Sequence, residues 1–172
     1  MANQITLRPE SGADSDFLFR LFASTREEEM NMVPWTLEQK NAFLRMQFQA
    51  QTTHYHQHFA DAAFMVILYD THPAGRLCVC RREQEIHVVD IALLREFRNA
   101  GIATRLLKDL LAEAETCKKR VTMYVLRNSP ALRLYERLGF RVTDNGGVYL
   151  FADWRPGITT EKISGLHASA NE

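Results

Sequence analysis

Hydrophobic positions recur along this chain with two different periods, and their alternation predicts a mixed fold of helices and strands. Ile5 to Arg8 alternates apolar and polar residues and stops at Pro9, the pattern of a first strand. Behind the polar residues Ser11, Asp14 and Ser15, the positions Phe17, Leu18, Leu21 and Phe22 fall at helical spacing. Pro34 interrupts. Thr36, with Gln39 three residues on, has the form of a capping box, and it opens a second helix carrying Phe43, Leu44, Met46 and Phe48 to about Phe59.

The centre of the chain reads as strands. Phe64 to Tyr69 is a near-continuous apolar run, Thr71 to Gly75 carries turn residues, and Arg76 to Arg82 returns, which predicts a hairpin. Ile86 to Leu93 is a third run rich in β-branched residues, followed by the polar loop Arg95 to Ala100. From Gly101 onward Ile102, Leu106, Leu107, Leu110, Leu111 and Ala114 form the apolar stripe of a helix, and Val121 to Leu126 resumes a β pattern. A strand, helix, strand unit of this length predicts parallel pairing with a right-handed crossover. Pro130 opens a last helix, Gly139 ends it, and Val148 to Trp154 is a closing strand after the turn Asp144-Asn145-Gly146-Gly147.

Composition narrows the class. A length of 172 residues, 46% of them hydrophobic, suits one domain, read here as 1–155, with a polar, aperiodic and flexible tail over 156–172. Lys plus Arg and Asp plus Glu number 21 each, so no net charge draws the protein to nucleic acid or to anionic membranes. No apolar run approaches the ~20 residues of a membrane span, and Met1 to Glu10 lacks the basic and apolar segments of a leader. A cytoplasmic protein is expected. Cys78, Cys80 and Cys117 imply neither a disulfide framework nor a four-ligand zinc site; Cys78 and Cys80 share one face of a strand and read as buried small hydrophobes.

The most informative stretch runs from Asp90 to Ala103. A buried strand enters a polar turn and then a helix whose first residues are Gly101, Ile102 and Ala103, so main-chain N–H groups stand unshielded at a helix start. Free N–H groups and the positive end of the helix dipole make an anion site there, and small residues permit close approach. A P-loop would need Lys and then Ser or Thr after Gly101; a dinucleotide fingerprint would need a glycine where Asn99 stands. Neither is present.

The spacing Arg98-x-x-Gly101-x-Ala103 instead resembles the [QR]-x-x-G-x-[GA] pyrophosphate motif of the GNAT superfamily of N-acetyltransferases, which bind coenzyme A. A second stretch, Asn128 to Phe140, resembles the family's N-x-x-A-x-x-x-Y-x-x-x-G-F segment at Asn128, Ala131, Tyr135, Gly139 and Phe140. The resemblance covers about Ile5 to Trp154. It implies an α/β fold with a mixed central sheet of about six to seven strands and about four helices, splayed between Ile86–Leu93 and Val121–Leu126.

By position, the resemblance implies acetyl-CoA as cosubstrate; the cysteine and histidine spacings give no reason to expect a metal. Ala92, Leu93, Leu94, Phe97, Arg98, Asn99, Ala100, Gly101, Ile102 and Ala103 would hold the cosubstrate, with Asn128, Ala131 and Tyr135 from the second motif. A main-chain N–H at the bulged end of the strand, from Ala92 or Leu93, would polarise the thioester carbonyl. Tyr135 would act as general acid toward the departing thiolate. Two departures stand out: Asn99 replaces the glycine common after the motif's Arg, and Arg95 replaces a proline common near the loop's start. Asn accepts a left-handed backbone more readily than most residues, so the turn is expected to survive.

The base has two candidates on the strand, Asp90 and His87, with a water chain as a third route; Asp90 is preferred because some family members carry acidic groups there. Three positions apart, the two side chains face opposite sides of a regular strand unless a bulge intervenes. Glu27, Glu28 and Glu29 form a solvated face or attract a cationic acceptor, and Trp35 is a pocket wall or a helix staple. Of His54, His56 and His58 only the outer two share a helix face, and no third metal ligand is evident. The expected activity is acetyl transfer to a primary amine on a small molecule or peptide by direct attack in a ternary complex. The alternative is a noncatalytic acyl-CoA-binding module. A homodimer is left open.

Overall fold

A computed structural model of the chain describes residues 3–157; the expected tail, apart from Pro156 and Gly157, lies outside them. The strands are β1 (Ile5–Pro9), β2 (Ala62–Tyr69), β3 (His72–Arg81), β4 (Glu85–Leu93), β5 (Arg120–Leu126), β6 (Arg141–Thr143) and β7 (Tyr149–Trp154). The α-helices are α1 (Ser15–Ser24), α2 (Glu27–Asn31), α3 (Leu37–His58), α4 (Ile102–Cys117) and α5 (Leu132–Arg137). The strands make a seven-stranded sheet in the order β1-β2-β3-β4-β5-β7-β6. Pairing is parallel between β4 and β5 and antiparallel for β1–β2, β2–β3, β5–β7 and β6–β7, so the expected mixed sheet is present.

The described residues fall into two compact units, 3–80 with 89–103 and 81–88 with 104–157; β4 and α4 each run from one into the other. In the first unit Phe17, Leu18, Leu21 and Val66 form a buried cluster with Phe48, Leu68, Ala92 and Leu94 packed against it. The capping box forms as read: Thr36 Oγ1 accepts the Gln39 N–H at 3.2 Å and Gln39 Oε1 accepts the Thr36 N–H at 2.9 Å. Satisfying such orphaned amides is worth about 1 kcal/mol. Trp35 packs edge-on against Phe43, with ring centroids 5.2 Å apart. Asp14 is held by Arg8 in a two-pronged ion pair at 2.6 and 2.8 Å.

In the second unit the whole predicted stripe of α4 beyond Ile102 is buried, as are Val121, Met123 and Val125 on one face of β5. Gly139 ends α5 with φ +92°, a left-handed residue just past the last helical turn.

Four local expectations change. The β2–β3 turn lies at Asp70 and Thr71, both with positive φ, rather than at Thr71 to Gly75, and Pro73 and Gly75 belong to β3. Pro9 is a strand residue, which the unpaired side of the edge strand β1 tolerates. The last helix starts at Leu132, not Pro130, with Ser129 Oγ accepting the Ala131 N–H. Two short elements, α2 and β6, had no counterpart in the hydrophobic pattern. Among the described residues no helix is long and apolar enough to cross a membrane.

Candidate active site

Strand β4 is the axis of the site, and its geometry follows from a glycine. A Cβ on Gly75 would lie 2.2 Å from the Ala92 carbonyl oxygen and 2.7 Å from Leu93 Cδ2, so only glycine lets β3 pass so close to the end of β4. The Leu94 N–H donates to the Ala74 carbonyl at 2.9 Å, and at the other end of the two strands the Arg82 N–H donates to the Glu85 carbonyl at 2.9 Å. Between those two bonds β3 advances eight residues and β4 nine. One residue of β4 has no opposite number, the mark of a bulge. The parallel ladder with β5 runs from the pair Glu85–Arg120 to the pair Val88–Met123, and β4 continues to Leu93 beyond it, as the expected splay requires.

The loop after β4 belongs wholly to the first unit. Arg95–Phe97 makes a single 3-10 turn, pinned by Phe97 against Tyr69 with ring centroids 5.7 Å apart. Asn99 then takes φ +58° and Gly101 φ +77°, so Asn99 adopts the left-handed conformation expected of it. No atom comes within 4 Å of a Cβ built on Gly101, so the space over the loop is open. Among the described residues no loop carbonyl takes the N–H groups of Asn99, Ala100 or Gly101, and those of Ile102 and Ala103 open α4, where no preceding turn can accept them. Five consecutive amides therefore stand at the start of a helix whose dipole favours an anion.

Three members of the expected set are used otherwise. The Leu94 N–H is spent on Ala74, the Phe97 N–H on the Leu94 carbonyl at 3.0 Å, and the Arg98 N–H on the Arg95 carbonyl at 3.2 Å. A buried or structured amide already donating inside the protein has no proton left for a ligand oxygen. The Arg98 guanidinium also turns inward: its Nε donates to the Leu93 carbonyl at 2.9 Å and its Nη2 to Ser24 Oγ at 3.4 Å. Arg98 braces the loop against the end of β4.

Asp90 is half-buried in a charged cluster of the same unit. Burial pushes its carboxyl pKa up, against the pull of Arg76 first and Arg26 second. Arg76 is itself buried and forms an ion pair with Glu10 at 2.6 Å. Burial also raises the pKa of the Cys78 thiol far above its ordinary value, with Arg76 the largest opposing influence. Such a thiol carries almost no thiolate at neutral pH. Cys78 and Cys80 are buried as expected.

The remaining candidates lie in the second unit. Tyr135 is buried on α5 and packs edge-on against Phe140, 5.9 Å between centroids, while Asn128 is exposed and Ala131 half-buried before α5. His87 is buried on β4, with Nδ1 2.9 Å from Thr122 Oγ1; the Thr122 hydroxyl donates to Glu85 Oε2 at 3.1 Å. Glu85 is in turn ion-paired with Arg120 at 3.1 Å and Arg82 at 3.4 Å. Sequence reading missed Gly75, Glu85 and Thr122. An isolated glycine inside a strand pattern was a usable signal for the first; the other two depend on β4–β5 register, which no local pattern carries. Glu27 to Glu29 form an exposed face, with Glu27 paired to Arg95 at 3.4 Å. His54 and His58 stack with centroids 4.2 Å apart, the shared face their spacing implied.

Comparison with known proteins agrees with this geometry. A model described as the acetyltransferase (GNAT) family matches residues 24–140. An "N-alpha-acetyltransferase" of Sulfurisphaera tokodaii is 38% identical over 58 residues, 32% of this chain and 35% of its own, so the chain matches about a third of the length of this curated relative. The PaiA N-acetyltransferase of Thermoplasma acidophilum, solved in complex with coenzyme A, superposes with a TM-score of 0.62 at 21% identity, over 88% of this chain and 99% of its own. A GNAT family acetyltransferase of Elizabethkingia anophelis, solved with acetyl-CoA bound, gives 0.55 at 17% identity over 88% and 97%. With a family match over more than half of its residues, this chain belongs to the acetyltransferase (GNAT) family.

Proposed function

We propose that the chain is an N-acetyltransferase that moves the acetyl group of acetyl-CoA to a primary amine by direct attack in a ternary complex. The observation that carries this reading is the row of amides from Asn99 to Ala103, open at a helix start and shaped by two left-handed residues. Acetyl-CoA supplies an activated acyl group and a diphosphate handle. Asn99, Ala100, Gly101, Ile102 and Ala103 would hold that diphosphate through their main chains. The open space over Gly101 fits a bulky anion, and its positive φ excludes a side chain without strain.

The chemistry then falls to groups on β4 and α5. The main-chain N–H near the end of β4, at Ala92 or Leu93, would stabilise charge on the thioester oxygen. Tyr135 would hydrogen-bond to the departing sulfur; a phenol near pKa 10 and a thiol near 8.5 make that bond the main part of its contribution. Asp90, His87 or a water chain would take the acceptor's proton. The raised Cys78 thiol supports direct transfer over an acetyl-cysteine intermediate. We further propose that 1–155 acts as one catalytic domain, since β4 and α4 run through both units. A primary amine on a peptide or small molecule is the acceptor class; the name of the Sulfurisphaera relative favours a peptide α-amine.

The test is thiol release from acetyl-CoA over a panel of peptides and small amines. Release that depends on one acceptor class is the expected result. A thermal shift with acetyl-CoA and no release with any amine would favour the binding module instead.

A further inference from the structure

A concave feature lies where α4 ends and where β4 and β5 begin, and every residue lining it belongs to the second unit. It is an open cavity of about 460 Å³ lined by Gln84, Lys118, Arg120, Arg155 and Pro156. Three of those residues are cations and none is a carboxylate, in a chain whose Lys plus Arg and Asp plus Glu balance at 21 each. A cleft lined by one sign of charge concentrates ions of the other.

The walls are tied to one another. The Arg120 N–H donates to the Gln84 carbonyl at 3.4 Å and Lys119 Nζ to the Arg82 carbonyl at 2.7 Å, which joins the β3–β4 turn to the chain after α4. The Gly157 N–H donates to Glu115 Oε2 at 3.2 Å, which joins the segment after β7 to the same helix. Lys118 sits at the helix end itself. The Lys119 N–H reaches the Ala114 carbonyl at 2.9 Å and the Lys118 N–H the Glu115 carbonyl at 3.4 Å, so α4 closes in the pattern whose left-handed position is usually glycine. Lys118 fills that position with φ +55°, which strains a residue that has a Cβ. A long cation stands where glycine would suit the helix better.

Each cation has a carboxylate neighbour outside the lining: Glu115 for Lys118 at 3.5 Å, Glu85 for Arg120 at 3.1 Å and Asp153 for Arg155 at 3.0 Å. The three cationic side chains are 76, 41 and 59% exposed, and ion pairs so open to water hold their partners weakly. Asp153 takes only the Nε of Arg155, so the two terminal nitrogens of that guanidinium meet no acceptor among the described residues. An incoming anion therefore competes with little.

We infer that this cavity binds the phosphate group of a small phosphate monoester, with none of the residues proposed above to hold acetyl-CoA. Such a group carries about −1.5 to −2 charge at neutral pH and three terminal oxygens, a match for three cations. Arg120 and Arg155 supply forked donors and Lys118 a point charge. A carboxylate, with one charge and two oxygens, would leave a cation unmatched. Gln84 offers an amide to the rest of the molecule, and the volume is that of a small-molecule site rather than of a nucleic-acid surface.

The test uses the full chain and glycerol phosphate as probe, read by ¹⁵N spectra of the arginine Nε–H groups and the backbone amides. The Nε–H signals of Arg120 and Arg155 and the amide of Lys118 should shift saturably. Glycerate at equal ionic strength should bind about 10-fold more weakly, and inorganic phosphate more weakly than the ester because it does not extend to Gln84. Lys118→Gly and Arg155→Gln should each weaken binding about 5-fold, Lys118→Gly with no loss of stability in denaturant because glycine suits its backbone. Shifts that grow linearly and are matched by chloride would overturn the inference, as would wild-type affinity in the doubly substituted protein. Equal binding of glycerate or of inorganic phosphate would overturn the monoester assignment. Shifts confined to the amides from Asn99 to Ala103 would overturn it too, while leaving the acetyl-transfer reading untouched.

Discussion

The loop after β4 and the paired strands β4 and β5 present their polar groups by different means. The loop offers main chain: open amides set by left-handed Asn99 and Gly101, with the one large side chain, Arg98, turned back onto Leu93. The strand pair offers side chains, His87, Thr122 and Glu85, brought together by register. Main-chain recognition tolerates substitution wherever φ is ordinary and fails where it is not. The side-chain relay is broken by the loss of a single hydroxyl. The difference predicts which substitutions act on donor binding and which on turnover.

The largest effect should come from Tyr135→Phe, which removes the proposed acid and keeps the ring against Phe140. Turnover should fall about 100-fold with acetyl-CoA affinity little changed, read from steady-state rates beside calorimetry. Equal losses in both would assign Tyr135 to packing. Next is Gly75→Ala, whose methyl would meet the Ala92 carbonyl. It should cost about 2 to 3 kcal/mol of stability by denaturant titration, because one backbone must move. Smaller is Gly101→Ala. A left-handed non-glycine residue costs about 1 to 2 kcal/mol, so the KM for acetyl-CoA should rise about 10-fold while turnover at saturation stays near wild type.

These contrasts also explain what the sequence disclosed. The capping box at Thr36 and Gln39, the stripe of α4 and the left-handed turn at Asn99 were legible, because each depends on neighbours within four residues. The hairpin turn was misplaced: Gly75 looked like a turn residue, whereas it is a strand glycine required by β4. α2 was hidden because Glu27, Glu28 and Glu29 bury nothing, and β6 because it has three residues. In the site, the anion loop could be read from spacing, but the spent amides of Leu94 and Phe97 could not. Their acceptors are set by packing against Ala74 and by the 3-10 turn. The link of His87 to Thr122 spans 35 positions and exists only through sheet register.

The smallest effect concerns stability away from both regions. The Asp14 carboxylate accepts from Arg8 and Ser11, and the Arg8 hydrogen bond first of all holds its pKa below the ordinary carboxylate value. A depressed carboxyl stabilises the fold above its unfolded pKa and loses that contribution as pH falls through the folded one. Stability should therefore decline below about pH 4, and Asp14→Asn, costing about 1 kcal/mol at neutral pH, should flatten that part of the curve in acid titrations followed by circular dichroism.

The central claim is that peptide nitrogens between Asn99 and Ala103 grip a diphosphate. Titration of ¹⁵N-labelled protein with coenzyme A reads those nitrogens directly. The five amides should shift together and saturably, while those of Leu94 and Phe97, already bonded inside the protein, change less. Saturable binding that leaves the five unmoved would contradict the account.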